Sequence, residues 1–167
     1  GGGSGHNNTV RSGRILKNTN VTISDGTIYH NIYGGGAYGT VGDFDYQTGS
    51  DYEGGPIKVQ GINGLATDGT GVANVTITGG TIGYDGNENG MVFGSSRGDI
   101  NEPGARDDHC AWVYDTNVII GTEGSETGPQ IKGAVYGSGE NGHTYNNTVV
   151  TVYSGTIGIA EGSPIGD

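Results

Sequence analysis

The feature that most constrains this chain is a short phrase that recurs at unequal intervals. It reads NVTISDGTI from Asn20, NVTITGGTI from Asn74 and TVVTVYSGTI from Thr148, and a related form, NVII, begins at Asn117. Aligned copies place Asn20, Asn74, Asn117 and Val149 at one repeat position, at intervals of 54, 43 and 32 residues. Internal repetition of this length indicates a fold in which each repeat buries its apolar face against its neighbours.

Apolar and polar residues alternate within the phrase, which is the period of a half-buried β-strand. Val75 and Ile77 are expected to face a core, and Thr76 is expected to face outward. A second phrase follows as IYGGG, VFGSS and VYGSG. Short strands that recur between glycine turns form continuous parallel sheets when the repeats stack. The sequence therefore predicts an all-β fold, a parallel β-helix (β-solenoid) with irregular loop insertions, as one segment over residues 1–167.

The unequal intervals predict loops that project between the stacked strands, because each doubling of a loop's length costs only about 0.6 kcal/mol. We expect inserts at about residues 42–71, 95–115 and 122–130. The opening GGGSG matches the glycines of the second phrase, so the segment is expected to begin and end within the repeat. An antiparallel sandwich is the alternative, but it gives no reason for the strand phrase to recur.

The charge of the chain disfavours two classes of partner. There are 18 acidic residues against seven lysines and arginines, for a formal net charge of -11. Nucleic acids and anionic membrane surfaces are bound by clustered basic residues, whereas those of this chain are scattered. No apolar run approaches the roughly 18 residues that a membrane span needs. We therefore expect neither nucleic-acid binding nor membrane insertion.

The two phrases together resemble a known class of repeat. NVTIxGGTI followed by VYGGG or VYGSGENGH is similar to the Gly-rich repeats of large secreted or surface proteins of gut bacteria. These resemble the right-handed parallel β-helices of adhesins and autotransporter passengers. The resemblance covers most of the chain outside the inserts. It implies a right-handed coil and a secreted or cell-surface, non-catalytic structural or binding module. The implied partners are glycans and surface proteins. Because the bare ends of a solenoid segment are edge strands that invite further pairing, we also expect neighbouring copies, with end-to-end self-assembly, or flanking repeats of the same solenoid.

Two sets of side chains occupy equivalent repeat positions. The first set is Asn20, Asn74 and Asn117. Stacked amides of this kind hydrogen-bond along the stack as a ladder, although each could instead close its own turn. The second set is Tyr33, Phe93 and Tyr136. We expect these rings to form an aromatic stack, with a platform for glycan stacking as the alternative interpretation.

The string DGNENG, Asp85 to Gly90, fits the first half of a calcium-binding loop. Asp85, Asn87 and Asn89 alternate, so their oxygens could converge on one cation. However, the twelfth position is Ser96, where such a loop places a bidentate Glu. We therefore expect an ordinary Asn/Gly turn and no cofactor, with calcium as the alternative.

A second functional class comes from another resemblance. Pectin-hydrolysing β-helix enzymes use NTD, DD, GHG and RIK motifs, and this chain has NTN, RDDH, GHT and QIK. The similarity implies Asp107, Asp108, His143 and Lys132 as catalytic candidates of a polysaccharide lyase or glycoside hydrolase. Two departures weaken it, because Asn20 stands where the motif needs Asp and Lys132 precedes His143. A solvated charged loop at RDDH is therefore the preferred interpretation.

Overall fold

Every regular element that the structure describes is a β-strand. The computed structural model describes residues 13–46, 62–65, 67–85, 89–98 and 110–158. The strands there are β1 (Thr19–Ile23), β2 (Thr27–Ile28), β3 (Ile32–Tyr33), β4 (Phe44–Tyr46), β5 (Ile62–Leu65), β6 (Val72–Ile77), β7 (Thr81–Ile82), β8 (Val92–Phe93), β9 (Trp112–Val113), β10 (Asp115–Ile120), β11 (Gln130–Ile131), β12 (Val135–Tyr136), β13 (His143–Thr144), β14 (Thr148–Val152) and β15 (Thr156–Ile157). None of the described residues forms a helix of the length and apolarity that crossing a membrane requires.

Four of the sheets are parallel, and we number them as ladders in chain order. Ladder 1 has the order β1-β6-β10-β14, ladder 2 the order β2-β7-β11-β15, and ladder 3 the order β3-β8-β12. Ladder 4 pairs β9 with β13 and continues through bridges from Val113 to Val41 and from Val41 to Ile15. The chain visits ladders 1, 2, 3 and 4 in turn and then returns to ladder 1. We call each such passage a coil, so coils 1 to 4 begin at β1, β6, β10 and β14.

The repeated phrases pair with one another in parallel, in the register of the sequence alignment. Asn20 lies opposite Asn74, Asn74 opposite Asn117, and Asn117 opposite Val149. Tyr33 is likewise opposite Phe93. The predicted all-β fold with parallel strands in stacked sheets is confirmed, and this arrangement is compatible with a β-solenoid.

Alternation along the ladder 1 strands separates the core from the outer surface. In β6 and β10 every second residue is buried, and Val75, Ile77, Val118 and Ile120 are fully inaccessible. These side chains join Ile82 and other residues of ladders 2 and 3 in one hydrophobic cluster. Burying a Val or Ile side chain stabilises a fold by about 1.5–3 kcal/mol. A thin core shared by three ladders is therefore sufficient to hold very short strands in place.

The structure assigns part of the expected inserts to the repeats. Residues 42–71 contain an antiparallel hairpin of β4 and β5. The expected insert at 95–115 includes β9 of ladder 4 and the first residue of β10, and the one at 122–130 includes Gln130 of β11. Alignment gives little signal for these members, because Trp112–Val113 and His143–Thr144 are two residues long without a common letter, and Gln130 stands opposite Thr81 and Thr156.

Glycines on ladder 3 allow the backbones of neighbouring coils to approach closely. The third position of the second phrase, directly after its aromatic residue, is glycine in each copy: Gly34, Gly94 and Gly137. A Cβ atom built on Gly34 would lie 2.1 Å from the carbonyl oxygen of Gly94, and one on Gly94 would lie 2.3 Å from that of Gly137. Because the clashing atoms are backbone, no side-chain rearrangement relieves the overlap. Glycine at these positions is a condition of coil stacking.

We therefore expect Gly94→Ala to lower the free energy of unfolding by about 3 kcal/mol. The matched control is Gly124→Ala, because Gly124 has a φ of +74° but open space around its Cβ position. It should cost about 1 kcal/mol from backbone strain alone. Urea denaturation followed by circular dichroism measures both losses. Equal losses in the two variants would contradict close packing at Gly94.

Candidate ligand-binding site

An in-register aromatic stack runs along ladder 3. The ring centroids of Tyr33 and Phe93 are 5.2 Å apart with an interplanar angle of 6°, and those of Phe93 and Tyr136 are 5.0 Å apart at 9°. Phe93 is 4% exposed between its neighbours, whereas Tyr136 is 46% exposed. The stack therefore has a buried middle ring and an accessible end.

A polar cavity of about 370 Å³ adjoins this stack and shares Tyr33 with it. Its volume lies within the range of small-molecule sites. The residues that line it are His30, Asn31, Tyr33, Asn89, Arg97 and Glu140. The first three belong to coil 1, the next two to coil 2 and the last to coil 3. The site is therefore built by stacking, because no single coil contains it.

Asn31 fixes the wall of the cavity that joins coils 1 and 2. Its Oδ1 accepts hydrogen bonds from the backbone N–H groups of Gly90 and Met91, each at 3.0 Å. Its Nδ2 donates to the Tyr33 hydroxyl oxygen at 3.4 Å. One amide side chain thus holds the next coil in place and orients the tyrosine.

Backbone hydrogen bonds place Arg97 between its neighbouring coils. The Arg97 N–H donates to the carbonyl oxygen of Gly36 at 2.9 Å, and its own carbonyl oxygen accepts from the Asn141 N–H at 2.7 Å. Asn141 directly follows Glu140 in the chain. Arg97 and Glu140 are therefore brought together by main-chain pairing rather than by their charges alone.

Three side chains form the polar centre of the cavity. The Tyr33 hydroxyl donates a hydrogen bond to Glu140 Oε2. Arg97 Nε lies 3.9 Å from the same oxygen, which is an ion pair but too long for a hydrogen bond. Burial raises the pKa of the Tyr33 hydroxyl, and its hydrogen bond to Glu140 raises the pKa further. Ionising Tyr33 would leave two negative groups in contact.

The asparagines of the repeated phrase are brought together on the outer face of ladder 1. Asn74 Nδ2 donates to Asn20 Oδ1 at 3.0 Å, and Asn117 Nδ2 donates to Asn74 Oδ1 at 3.5 Å. The amides therefore run as a chain of hydrogen bonds across three coils. Val149 continues the row in coil 4 without an amide.

Two of the residues considered for calcium have a described environment. The Asp85 carboxylate is paired with the Lys132 ammonium at 2.9 Å, and Asn89 lines the cavity. Asn87 lies outside the described residues. Among the residues that the structure describes, no group of three or more His, Cys, Asp or Glu side chains is arranged to hold a metal ion.

The two described residues among the candidates for catalysis lie on different ladders. Lys132 follows β11 on ladder 2, whereas His143 lies in β13 on ladder 4 and stacks on Trp112 with centroids 4.5 Å apart. Asp107 and Asp108 lie outside the described residues. Lys132 and His143 therefore each make a contact between coils, to Asp85 and to Trp112.

A second in-register ring set on ladder 4 was missed by the sequence analysis. Trp112 stacks on His143, and Tyr114 stacks on Tyr145 with centroids 5.5 Å apart. The cavity residues His30, Asn31, Arg97 and Glu140 were missed as well. The sequence did carry a signal for two of them, because they align when the second phrases are aligned. Arg97 stands five residues after the first residue of VFGSS, and Glu140 stands five residues after the first residue of VYGSG. Ala37 occupies the same position in coil 1.

Comparison with protein-family models, with curated proteins and with solved structures found no match to this chain. The geometry of the cavity and of the stacks is therefore the basis for assigning a function. The strongest features are an aromatic stack with one accessible end and an adjoining pocket with both donors and acceptors.

The raised pKa of Tyr33 predicts an alkaline component of stability. Because the folded pKa lies above the unfolded value of about 10, the contribution is complete below pH 10 and is lost as the pH rises through the folded pKa. Absorbance titration at 295 nm should show a late tyrosine component that ionises above about pH 10. Tyr33→Phe should remove this late component and Tyr136→Phe should retain it. A late component that survives in Tyr33→Phe would refute the assignment.

Proposed function

We propose that this chain is a segment of a closed, right-handed parallel β-helix that serves as a non-catalytic, secreted or cell-surface module and binds glycans. The observation that carries the binding function is the polar cavity beside the aromatic stack. The resemblance of the repeats to those of bacterial surface proteins supports the location and the adhesin-like role.

Two observations support a closed coil. The chain visits ladders 1 to 4 in the same order in successive coils, and the apolar side chains of three ladders meet in one cluster. Connections between parallel strands of one sheet are right-handed in about 98% of cases, because the strand twist favours that hand. A right-handed coil is therefore the preferred closure.

The chemistry of the cavity favours a sugar. Sugar hydroxyls both donate and accept hydrogen bonds, and the lining supplies donors from Arg97 and Asn31 and an acceptor in Glu140. The cavity opens beside Tyr33 and its ring stack, and aromatic faces provide the apolar contact that sugar rings need. Arg97 and Glu140 carry opposite charges in the lining, so the site is locally close to neutral although the chain as a whole is acidic.

The lining also favours binding over hydrolysis. Glycosidases usually flank the scissile bond with two carboxyl groups about 5–9.5 Å apart. Among the described residues that line the cavity, Glu140 is the carboxylate, and it is engaged by Tyr33 and Arg97. A carboxylate held in this way orients a ligand but does not by itself supply the acid and the base.

A neighbouring copy is the second proposed partner. Val150, Val152 and Ile157 are in register with fully buried residues of the preceding coil, yet they are 42%, 51% and 41% exposed. Among the described strands, β14 and β15 stand at the end of their sheets, and the free edge of a strand that bears apolar residues favours addition of a further strand. We therefore propose that a second copy of the chain supplies the next coil, which gives end-to-end assembly.

The glycan-binding function is tested on a glycan array with the purified chain. We expect saturable binding of at least one glycan, and we expect Arg97→Ala to weaken it by about tenfold because a charge-assisted hydrogen bond is lost. Lys17→Ala is the matched control, since Lys17 is exposed on the loop before β1. Product analysis by mass spectrometry should show the bound glycan intact. An empty array would refute binding, and cleaved product would refute a non-catalytic role.

Sedimentation velocity over a range of concentrations tests the assembly. The wild type should associate as its concentration rises, and Val152→Lys should abolish this by placing a charge at an inward-facing apolar position. Val149→Lys is the control, because Val149 is equally exposed on the same strand but continues the outward asparagine row. A wild type that stays monomeric at every concentration would refute self-assembly.

A further inference from the structure

Arg97 and Glu140 form an open pair of opposite charges at the centre of the cavity. Their side chains are 56% and 37% exposed, and Arg97 Nε is 3.9 Å from Glu140 Oε2. Within the described part of the chain, the Arg97 guanidinium donates no hydrogen bond. Arginine is a donor only and an ionised carboxylate an acceptor only. Each group therefore retains hydrogen-bonding capacity directed at the same space.

Two adjacent hydroxyl groups complement such a pair. One hydroxyl can donate to the Glu140 carboxylate while its neighbour accepts from the Arg97 guanidinium, so the ligand bridges the gap that the protein leaves open. Asn31 and Tyr33 hold the acceptor side in place, because Tyr33 donates to Glu140 and Asn31 donates to Tyr33. The geometry is therefore pre-organised for a vicinal diol, which reduces the entropy that binding would otherwise lose.

The opposite charges of the pair disfavour a ligand that carries a charge of either sign. A ligand carboxylate placed on Arg97 would lie close to the Glu140 carboxylate, and a ligand ammonium placed on Glu140 would lie close to the Arg97 guanidinium. In each case a like charge opposes the attraction. A neutral ligand incurs neither cost, and a ligand carboxylate is in addition repelled by the chain's formal net charge of -11.

We propose that the Arg97–Glu140 pair selects uncharged sugars with vicinal hydroxyls and rejects both uronic acids and amino sugars. This selectivity rests on the proposed glycan-binding function and deepens it. Its distinctive consequence is that neutralising Glu140 or Arg97 changes which class of sugar binds most tightly, rather than only weakening the binding of every sugar.

The experiment compares the wild type and two variants, with three sets of three matched ligands. NMR titrations at pH 6, where a sugar carboxyl group is ionised and a 2-amino group, with a pKa like that of an α-amino group at about 7.7–8.0, is protonated, use methyl glucoside, galactoside and mannoside, each with its uronic acid and its 2-amino counterpart. Wild type should bind the neutral member of a set about fivefold more tightly than either charged one. Glu140→Gln should prefer the uronic acid by about fivefold, and Arg97→Gln should prefer the amino sugar by a similar factor.

Matched controls separate this effect from general electrostatics and from misfolding. Glu123→Gln and Lys17→Gln change the net charge equally but lie in exposed loops away from the cavity, and they should keep the wild-type order. Circular dichroism should show that all variants fold. In Glu140→Gln the amide oxygen still accepts from Tyr33, so the stack is retained.

A deoxy series tests the diol directly. In the set that binds best, removing one hydroxyl of the bridging pair should weaken wild-type binding about tenfold, because a charged group then loses its partner. Two results would overturn the selectivity while leaving glycan binding intact. One is that Glu140→Gln and Arg97→Gln bind sugars with the same order of affinities as the wild type, and the other is that the wild type prefers a uronic acid or an amino sugar. Failure of every sugar and every array glycan to bind would instead overturn the proposed function, and the selectivity with it.

Discussion

The approach of one coil to the next at backbone contact distance is the constraint on which the rest of the structure depends. Neighbouring β-strands lie about 4.7–4.9 Å apart, and Gly94 allows ladder 3 to keep that distance because it presents no Cβ to the Gly137 carbonyl. Aromatic rings at equivalent positions are then held near 5 Å, as Phe93 and Tyr136 are. The backbone spacing thus imposes nearly parallel stacking on rings that otherwise prefer offset or edge-to-face contact.

The same stacking produces the cavity. Tyr33 and Glu140 are 107 residues apart in the chain, yet they are joined by a hydrogen bond because coils 1 and 3 lie on either side of coil 2. Arg97 in coil 2 is fixed by main-chain hydrogen bonds to both neighbours. The charged pair is therefore positioned by the sheet, and its two members need not form hydrogen bonds with each other. That leaves hydrogen-bonding capacity for a ligand, whereas a bidentate ion pair would have consumed it.

Repetition made some of this structure predictable. Asn20, Asn74 and Asn117 share a letter and a position, so their register followed from alignment, and the buried alternation around Val75 followed from the strand period. Ladder 4 was not predictable in this way, because Trp112–Val113 and His143–Thr144 are two residues long and have no common letter. The Arg97 and Glu140 positions do align, but opposite charges at one position look like unrelated loop residues until the coils are stacked.

The alignment of Arg97 with Glu140 changes where function is to be sought in such a chain. The sequence pattern directed attention to the inserts, since loops carry most specific contacts. The candidate site instead uses a position that recurs with the repeat. Arg97, although it falls inside the expected insert at 95–115, and Glu140 align with Ala37 of coil 1, and Gly98 and Asn141 donate equivalent backbone hydrogen bonds to Ala37 and Arg97. A repeat of this kind holds the main chain constant and lets one side chain per coil vary. The chemistry of a surface row can then change from apolar to cationic to anionic over three coils without disturbing the glycine contacts that stack them.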